Sequence, residues 1–320
     1  DVYNSNTSDM LLNVPTPYLS GFSTALQNRG KVNNKGVEIT LSTHNTFGDF
    51  RWSNNFNFAL NRNKVVDLGD VNEIVTVNNS VLYFVTRVGE PIGNYYALVT
   101  DGIFMNQDEI NIANDPNDKR IATVAGAKVG DFKYVDQNGD GVITDDDKAI
   151  VGNYAPKFTY GWSTQMGWKW FDLSIATQGV YGNEIANINR RYFDSMEGSI
   201  NCMTDALDRF ISVDNPGNGK TVQANRSATG KNGTISTWHI ESGSYFRIRD
   251  ITFGVTMPKN WMNRIGIDKL RVYFTAYNPF TFTNYSGYNP EVSNNSNPLT
   301  PGVDVWYVSG GKVVCIWPEC

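Results

Sequence analysis

Histidine is nearly missing from these 320 residues, with only His44 and His239, and cysteine stops at Cys202, Cys315 and Cys320. An odd cysteine count without repeated spacing supplies neither a disulfide framework nor a Cys/His zinc cluster. Charge is scarce as well, at 18% of the chain. Lys+Arg 27 against Asp+Glu 32 gives a formal net charge of -5. With no basic run to meet a phosphate backbone, nucleic acid is not an expected partner. No apolar stretch reaches the length of a spanning helix, and Asp1-Val-Tyr-Asn does not read as a signal peptide. A membrane barrel would show no long apolar run either, because its strands alternate, and a chain starting within a domain would lack a signal. Helical periodicity is confined to 201–210, where Cys202, Met203, Ala206, Leu207 and Phe210 suggest a helix packed inside a long loop.

What the chain has in quantity is aromatic residues, 13%, set in period-two alternation. Over 50–61, Phe50, Trp52, Phe56, Phe58 and Leu60 share one face while Arg51, Ser53, Asn55, Asn57 and Asn61 share the other. Over 171–178, Phe171, Leu173 and Ile175 oppose Asp172, Ser174 and Gln178. Further strands are expected at 37–43, 95–104, 158–166, 245–257 and 270–277. A strand of about ten residues crosses a bilayer at a tilt. Alternation does not say which face meets water, but the connections do. Short links at 45–49, Gly167 and 258–269 alternate with long polar segments at 62–94, 105–157, 179–244 and 278–302. That rhythm matches tight periplasmic turns and large external loops of an outer-membrane barrel, and Trp162, Trp168, Trp170, Trp261 and Tyr277 are candidate interfacial girdles.

Motifs spread along the chain carry a resemblance. They include Leu11-Leu-Asn-Val-Pro-Thr-Pro-Tyr, Gly89-Glu-Pro-Ile-Gly, Thr100-Asp-Gly-Ile-Phe, Gly130-Asp-Phe-Lys-Tyr-Val-Asp, Gly152-Asn-Tyr-Ala-Pro-Lys-Phe, Tyr245-Phe-Arg-Ile-Arg-Asp and Asn289-Pro-Glu-Val. Together they resemble the C-terminal barrel portion of SusC/RagA-type TonB-linked outer-membrane proteins. The resemblance implies an all-β chain forming the C-terminal part of a large antiparallel transmembrane β-barrel of about 22 strands, with long extracellular loops. It further implies a Gram-negative outer-membrane location and an importer with no bond chemistry of its own. Its substrate would be an oligosaccharide or peptide, its partners a SusD-like lipoprotein and TonB, the latter acting through a part lying upstream. Residues 1–320 are read as one partial barrel domain, with 105–157 a long extracellular loop and 306–320 an atypical tail. Family members end on a strand with a Pro-Arg-Thr-Phe-like stretch; this tail instead looks like the product of a frameshift or truncation.

Residues 136–147 follow the spacing of a calcium loop. Asp136, Asn138 and Asp140 take the first, third and fifth positions, Val142 offers its carbonyl, Thr144 follows, and Asp147 replaces the usual closing Glu. The ion would act as a structural staple in a long loop. The alternative is an Asn-Gly/Asp-Gly turn with a solvated acidic run. Gly217-Asn-Gly-Lys-Thr lacks the leading glycine of a phosphate loop, since Asp214 stands there. His44 and His239 read as turn and rim residues, and no paired carboxylates mark a hydrolase. Tyr181, Tyr192, Phe193, Tyr285 and Tyr288 are candidates to contact substrate or partner, or to pack their own loops. The rival reading is a secreted, calcium-stabilised β-sandwich that binds carbohydrate; a glycosidase is the third.

Overall fold

The computed structural model describes residues 1–15, 21, 24–78, 81–115, 121–122, 124–196, 202–225, 230–292 and 299–305. Its alternating stretches join into one antiparallel sheet of seven strands. These are Val2–Pro15, Thr24–Phe47, Phe50–Asp67, Phe158–Trp168, Phe171–Tyr181, Tyr245–Thr256 and Arg271–Thr283, hydrogen-bonded in chain order. They are called the first to seventh wall strands. At one edge the turns are tight. Phe47 pairs with Phe50 across Gly48 and Asp49, and Trp168 pairs with Phe171 across Lys169 and Trp170. Gly48 and Lys169 both adopt positive φ, at 62° and 52°, which lets each chain reverse in two residues. Thr256 and Arg271 close the third link at that edge through a short helix, Lys259–Met262. The opposite edge carries the described residues of 68–157, 182–244 and 284–305.

Register sorts the side chains into two faces. One row across the sheet reads Ile39, Phe58, Tyr160, Gly179, Phe246 and Phe282, and another reads Phe47, Phe50, Trp168, Phe171, Val255 and Val272. Between them lie Leu41, Phe56, Trp162 and Phe253. Among the described residues no second layer covers this face: Leu41 is 58% exposed, Phe56 38% and Phe274 71%. The sandwich reading required Phe56, Phe58, Leu173 and Ile175 to be sealed between layers, and none of them is buried. From Val37 to Phe47 the apolar face runs ten residue steps, roughly 33 Å of strand. Tilted by about 40°, that gives a band about 25 Å tall, the height of a barrel's lipid-facing belt.

Aromatics border the band at both ends. Phe158 stacks on Tyr181 with centroids 4.9 Å apart, and Tyr160 on Phe246 at 6.2 Å. At the turn edge Trp170 meets Trp261 at 5.7 Å, beside Trp168 and Phe171. Two of the expected girdle residues lie elsewhere: Trp162 is in mid-strand, and the pairing of Tyr277 with Asp250 puts it on the polar face. A polar row, Thr43, Asn54 and Thr164, crosses the apolar band but satisfies itself. Trp52 Nε1 donates to Thr164 Oγ1 at 2.9 Å, Trp162 Nε1 to Asn54 Oδ1 at 3.3 Å, and Asn54 Nδ2 to Thr43 Oγ1 at 3.3 Å. Paired donors and acceptors tolerate an apolar medium where lone ones do not.

Three of the buried clusters lie in the connections, and a fourth joins Val32 and Val65, near the long-connection ends of the second and third wall strands, to Leu68, Ile74 and Leu299; none contains a residue of the apolar band. Residues 68–157 are folded rather than structureless. Strands Glu73–Asn78, Leu82–Arg87, Asn94–Ala97 and Ala149–Asn153 form a four-stranded sheet. The strand expected at 95–104 is divided: Asn94–Ala97 joins that sheet, while Thr100–Ile103 pairs with Phe132–Val135 in another. The expected loop 62–94 begins late, because the third wall strand runs on to Asp67. In 201–210 a 3-10 helix, Thr204–Asp208, leaves Leu207 78% exposed and buries Phe210. The atypical tail 306–320, with Cys315 and Cys320, lies outside the described residues.

The two faces respond differently to charge. In a bilayer, Leu41→Arg should cost roughly 2–4 kcal/mol of stability and Ser42→Arg, one residue on, less than about 1. Denaturant titration of the intact, membrane-inserted protein measures both; equal costs would remove the assignment of the faces.

Candidate functional site

The polar face and the folded connections above it make up the site. Along the face, neighbouring strands exchange side-chain bonds: His44 Nδ1 lies 3.0 Å from Ser53 Oγ, Asn55 Nδ2 donates to Ser42 Oγ at 3.0 Å, and Arg271 pairs with Asp172 at 2.6 Å. Near the long-connection end, Glu291 comes down from the segment after the seventh strand. It accepts from Arg247 Nη1 at 2.5 Å, Arg249 Nη1 at 3.1 Å and the Tyr245 hydroxyl at 3.0 Å. Arg247 also donates to Asn289 Oδ1 at 2.8 Å and Thr281 Oγ1 at 2.9 Å. Charge-assisted bonds of this kind are short and strong, so the segment 284–292 is tied to the inner face. Tyr245 and Arg247 face inward by alternation, and Arg249 stands at the bulge between Ile248 and Asp250. Alternation in the sequence sets Tyr245 and Arg247 on one face, but no local pattern names Glu291 as their partner.

The connections lock to one another at Gly302. Its φ is +69°, and a Cβ there would meet the Tyr154 ring at 2.2 Å and the Tyr95 hydroxyl at 2.3 Å, so only glycine fits. The buried Tyr95 hydroxyl lies 2.8 Å from the Gly302 carbonyl. The strands Glu184–Asn187, Ile240–Ser242 and Val303–Asp304 close over this point as a small sheet.

His239 is not a rim residue. It sits at the end of a 3-10 turn, Thr237–His239, and is fully buried, because the following strand docks against Glu184–Asn187. Its Nδ1 accepts from the Ser236 backbone amide at 3.2 Å. Burial and the neighbouring Arg190 guanidinium hold its pKa down at about 3. His44, by contrast, is exposed within the second wall strand.

In the acidic loop, the proposed ligands bind backbone. Asp136 accepts from Gly139 N at 2.6 Å and Gly141 N at 2.7 Å, Asn138 Oδ1 from Asp140 N at 2.9 Å, and Asp140 Oδ1 from Val142 N at 2.8 Å. The fully buried Asp147 accepts from Gln137 N at 3.0 Å and Thr144 N at 2.7 Å. Burial alone would raise the Asp136 pKa, but the Gly141 and Gly139 amides outweigh it and hold it below its ordinary value. Gly141, at the sixth position, takes φ +85° as a tight calcium loop requires. Among the described residues no group of three or more His, Cys, Asp or Glu side chains is arranged to hold a metal.

The five candidate aromatics separate. Tyr181 belongs to the aromatic border of the apolar face, stacked on Phe158. Tyr285 is buried, its hydroxyl bonded to the Asp304 carboxylate; burial and that carboxylate raise its pKa. Tyr192 and Phe193 lie on a short helix, Asn189–Phe193, with Tyr192 46% exposed. Tyr288 is 81% exposed.

The neutral burial of His239 fixes a pH dependence. A depressed histidine pKa contributes stability that is present above the unfolded value of 6.5 and lost as pH falls toward 3. The protection factors of the 184–187 and 240–242 amides, taken relative to the intrinsic exchange rate at each pH, should therefore fall below pH 6.5 in the wild type, and less so in His239→Gln.

No family model matches the chain. TonB-dependent receptor P3 of Formosa agariphila is 31% identical over 307 residues, covering 93% of this chain and 29% of the relative. TonB-dependent receptor SusC of Bacteroides thetaiotaomicron is 26% identical over 313 residues, covering 93% and 28%. The chain thus spans about three-tenths of the length of the curated relatives it matches. The structure of the RagAB peptide transporter superposes with a TM-score of 0.71 at 23% identity, over 95% of this chain and 31% of that one. At that identity the likeness speaks to fold alone. The two edge strands left unpaired among the described residues have the same explanation as the coverage: this is part of a larger wall. The chain is a homologue of the SusC/RagA-type TonB-dependent receptors and corresponds to part of their barrel.

Proposed function

We propose that the chain forms about a third of the barrel wall, with its external loops, in an outer-membrane nutrient importer driven through TonB. The single observation that carries this reading is the uncovered apolar band about 25 Å tall beside a polar inner face, with the buried clusters formed by the connections and the strand ends next to them. Seven strands of about 22 are close to a third, in keeping with the share of the relatives that is covered. The inner face is rich in amides and hydroxyls, which suit the hydroxyls of an oligosaccharide and the backbone of a peptide alike. No bond chemistry is assigned to the chain.

A lipoprotein lid is the proposed partner. Met203, Leu207, Ile211 and Val213 are 47%, 78%, 55% and 60% exposed within one short stretch of a connection, a density of exposed apolar side chains that suits an interaction surface. The exposed Tyr192 and Tyr288 are further candidates for contact with lid or substrate. Leu207→Glu with Ile211→Glu in the intact receptor should abolish co-purification of the lipoprotein while the barrel still inserts. Undiminished co-purification would move the lid contact elsewhere.

The acidic loop is proposed to take calcium as a structural ion. Each carboxylate oxygen that accepts one amide keeps a second lone pair for a cation, and the Asx-type bonds pre-form the loop. Calcium should then slow proteolysis within 105–157 of the intact receptor, and Asp136→Ala with Asp140→Ala should remove that protection. Digestion indifferent to calcium would leave the loop closed by its amide bonds alone.

A further inference from the structure

Just above the apolar band the same face changes character. Val37 and Leu60 form its last apolar row, and the next two rows are Lys35 opposite Arg62 and Asn33 opposite Lys64. Two residues along a strand raise this position by roughly 6 Å, to the level where the hydrocarbon of a bilayer gives way to headgroups. All three cations are exposed.

Lys35 and Arg62 are directly paired, and like charges at that spacing destabilise a sheet. Nothing local offsets them. Arg62 donates only to carbonyls, those of Asn61 at 3.1 Å and Lys157 at 2.7 Å among them, and no described carboxylate forms an ion pair with Lys35, Arg62 or Lys64. Lys31, one row further up, has its charge matched by Asp67 at 3.0 Å. The contrast marks the three as cations held for something outside the chain.

An independent feature lies beside them. A groove of about 480 Å³ opens next to Lys64, with Asn6 and Asn33 as polar wall and Val66 and Val88 as apolar wall. Asn33 Nδ2 donates to both Asn4 Oδ1 and Asn6 Oδ1, at 2.6 and 2.7 Å, which fixes the amide side of the groove. A cationic pair beside a concave surface of amides and valines suits a phosphate joined to a sugar.

We propose that Lys35, Arg62 and Lys64 bind the phosphate of a glycolipid headgroup in the outer leaflet, and that the adjoining groove receives its sugar. The proposal rests on the barrel-wall reading above. It names an annular lipid site on the outside of the wall, separate from the import path, and the charge complementarity selects an anionic lipid over a neutral one.

The test uses the intact receptor, delipidated in detergent and titrated by native mass spectrometry with bis-phosphorylated lipid A. Parallel titrations use the same lipid stripped of phosphate, and inorganic phosphate as competitor. The wild type should retain lipid A, and the triple variant Lys35→Gln/Arg62→Gln/Lys64→Gln should bind it about 100-fold more weakly, at about tenfold or less per cation. Lys31→Gln should bind as the wild type does. Equal binding by wild type and triple variant overturns the site. So does equal binding of the dephosphorylated lipid, and displacement by millimolar inorganic phosphate would make it a free-phosphate site instead. Heat-modifiable migration on gels reports whether each variant has folded. Failure of the barrel-wall reading shows separately, as equal costs for Leu41→Arg and Ser42→Arg.

Discussion

The constraint on which the architecture depends is that a backbone facing hydrocarbon has nothing but its neighbour to bond with. Each unsatisfied amide or carbonyl would cost several kcal/mol there. The seven wall strands answer with ladders that run almost unbroken from one strand to the next, interrupted by bulges at a few places such as Ile248/Asp250. The same requirement reaches the side chains: Thr43, Asn54 and Thr164 lie in the apolar band, and their polar atoms are taken up by one another and by two indole N–H groups. It also explains why a seven-stranded piece belongs in something larger, since an open sheet leaves two rows of unpaired groups.

Because the wall has no hydrophobic interior of its own, the connections supply theirs. Residues 68–157 bury Phe84, Tyr95, Phe104 and Tyr134 almost completely, and the sheets they form are small but continuous in packing with Ala186, Ile188 and Val303 from later in the chain. This gives the mouth of the wall a rigid rim. Glu291 between Arg247 and Arg249 then fastens the last segment to the inner face. Leu207 and Ile211 stand exposed in one of these connections.

In the acidic loop and at the histidines, residue type and spacing are local properties of the sequence, whereas the setting of each side chain is not. The spacing of Asp136, Asn138, Asp140 and Asp147 was visible in the sequence, and so was the glycine at its sixth position. That Asp147 would be fully buried and committed to two backbone amides was not. His239 next to a tryptophan near a strand start looked like a rim residue; the strand Ile240–Ser242 docks against Glu184–Asn187 and seals it. Burial of this kind depends on an element more than 50 residues away, and no local pattern encodes it.

Period-two alternation was enough to assign Phe56, Phe58 and Leu173 to one face and Asn55, Asn57 and Asp172 to the other, and to separate short links from long connections, although the link expected at Gly167 turns at Lys169 and Trp170 because Gly167 pairs with Asp172. Such features depend on neighbouring residues alone, since a strand's pleat fixes side-chain direction locally. Tertiary structure alone decided which alternating stretches entered the wall. Residues 95–104 alternate like the rest, yet divide between two small sheets because their partners are Tyr83–Val85 and Phe132–Tyr134 rather than a wall strand. It likewise brought Tyr95 to Gly302, 207 residues apart, and Arg247 to Glu291. Pairing partners are chosen by long-range register and by what remains to be buried, and the local sequence carries neither.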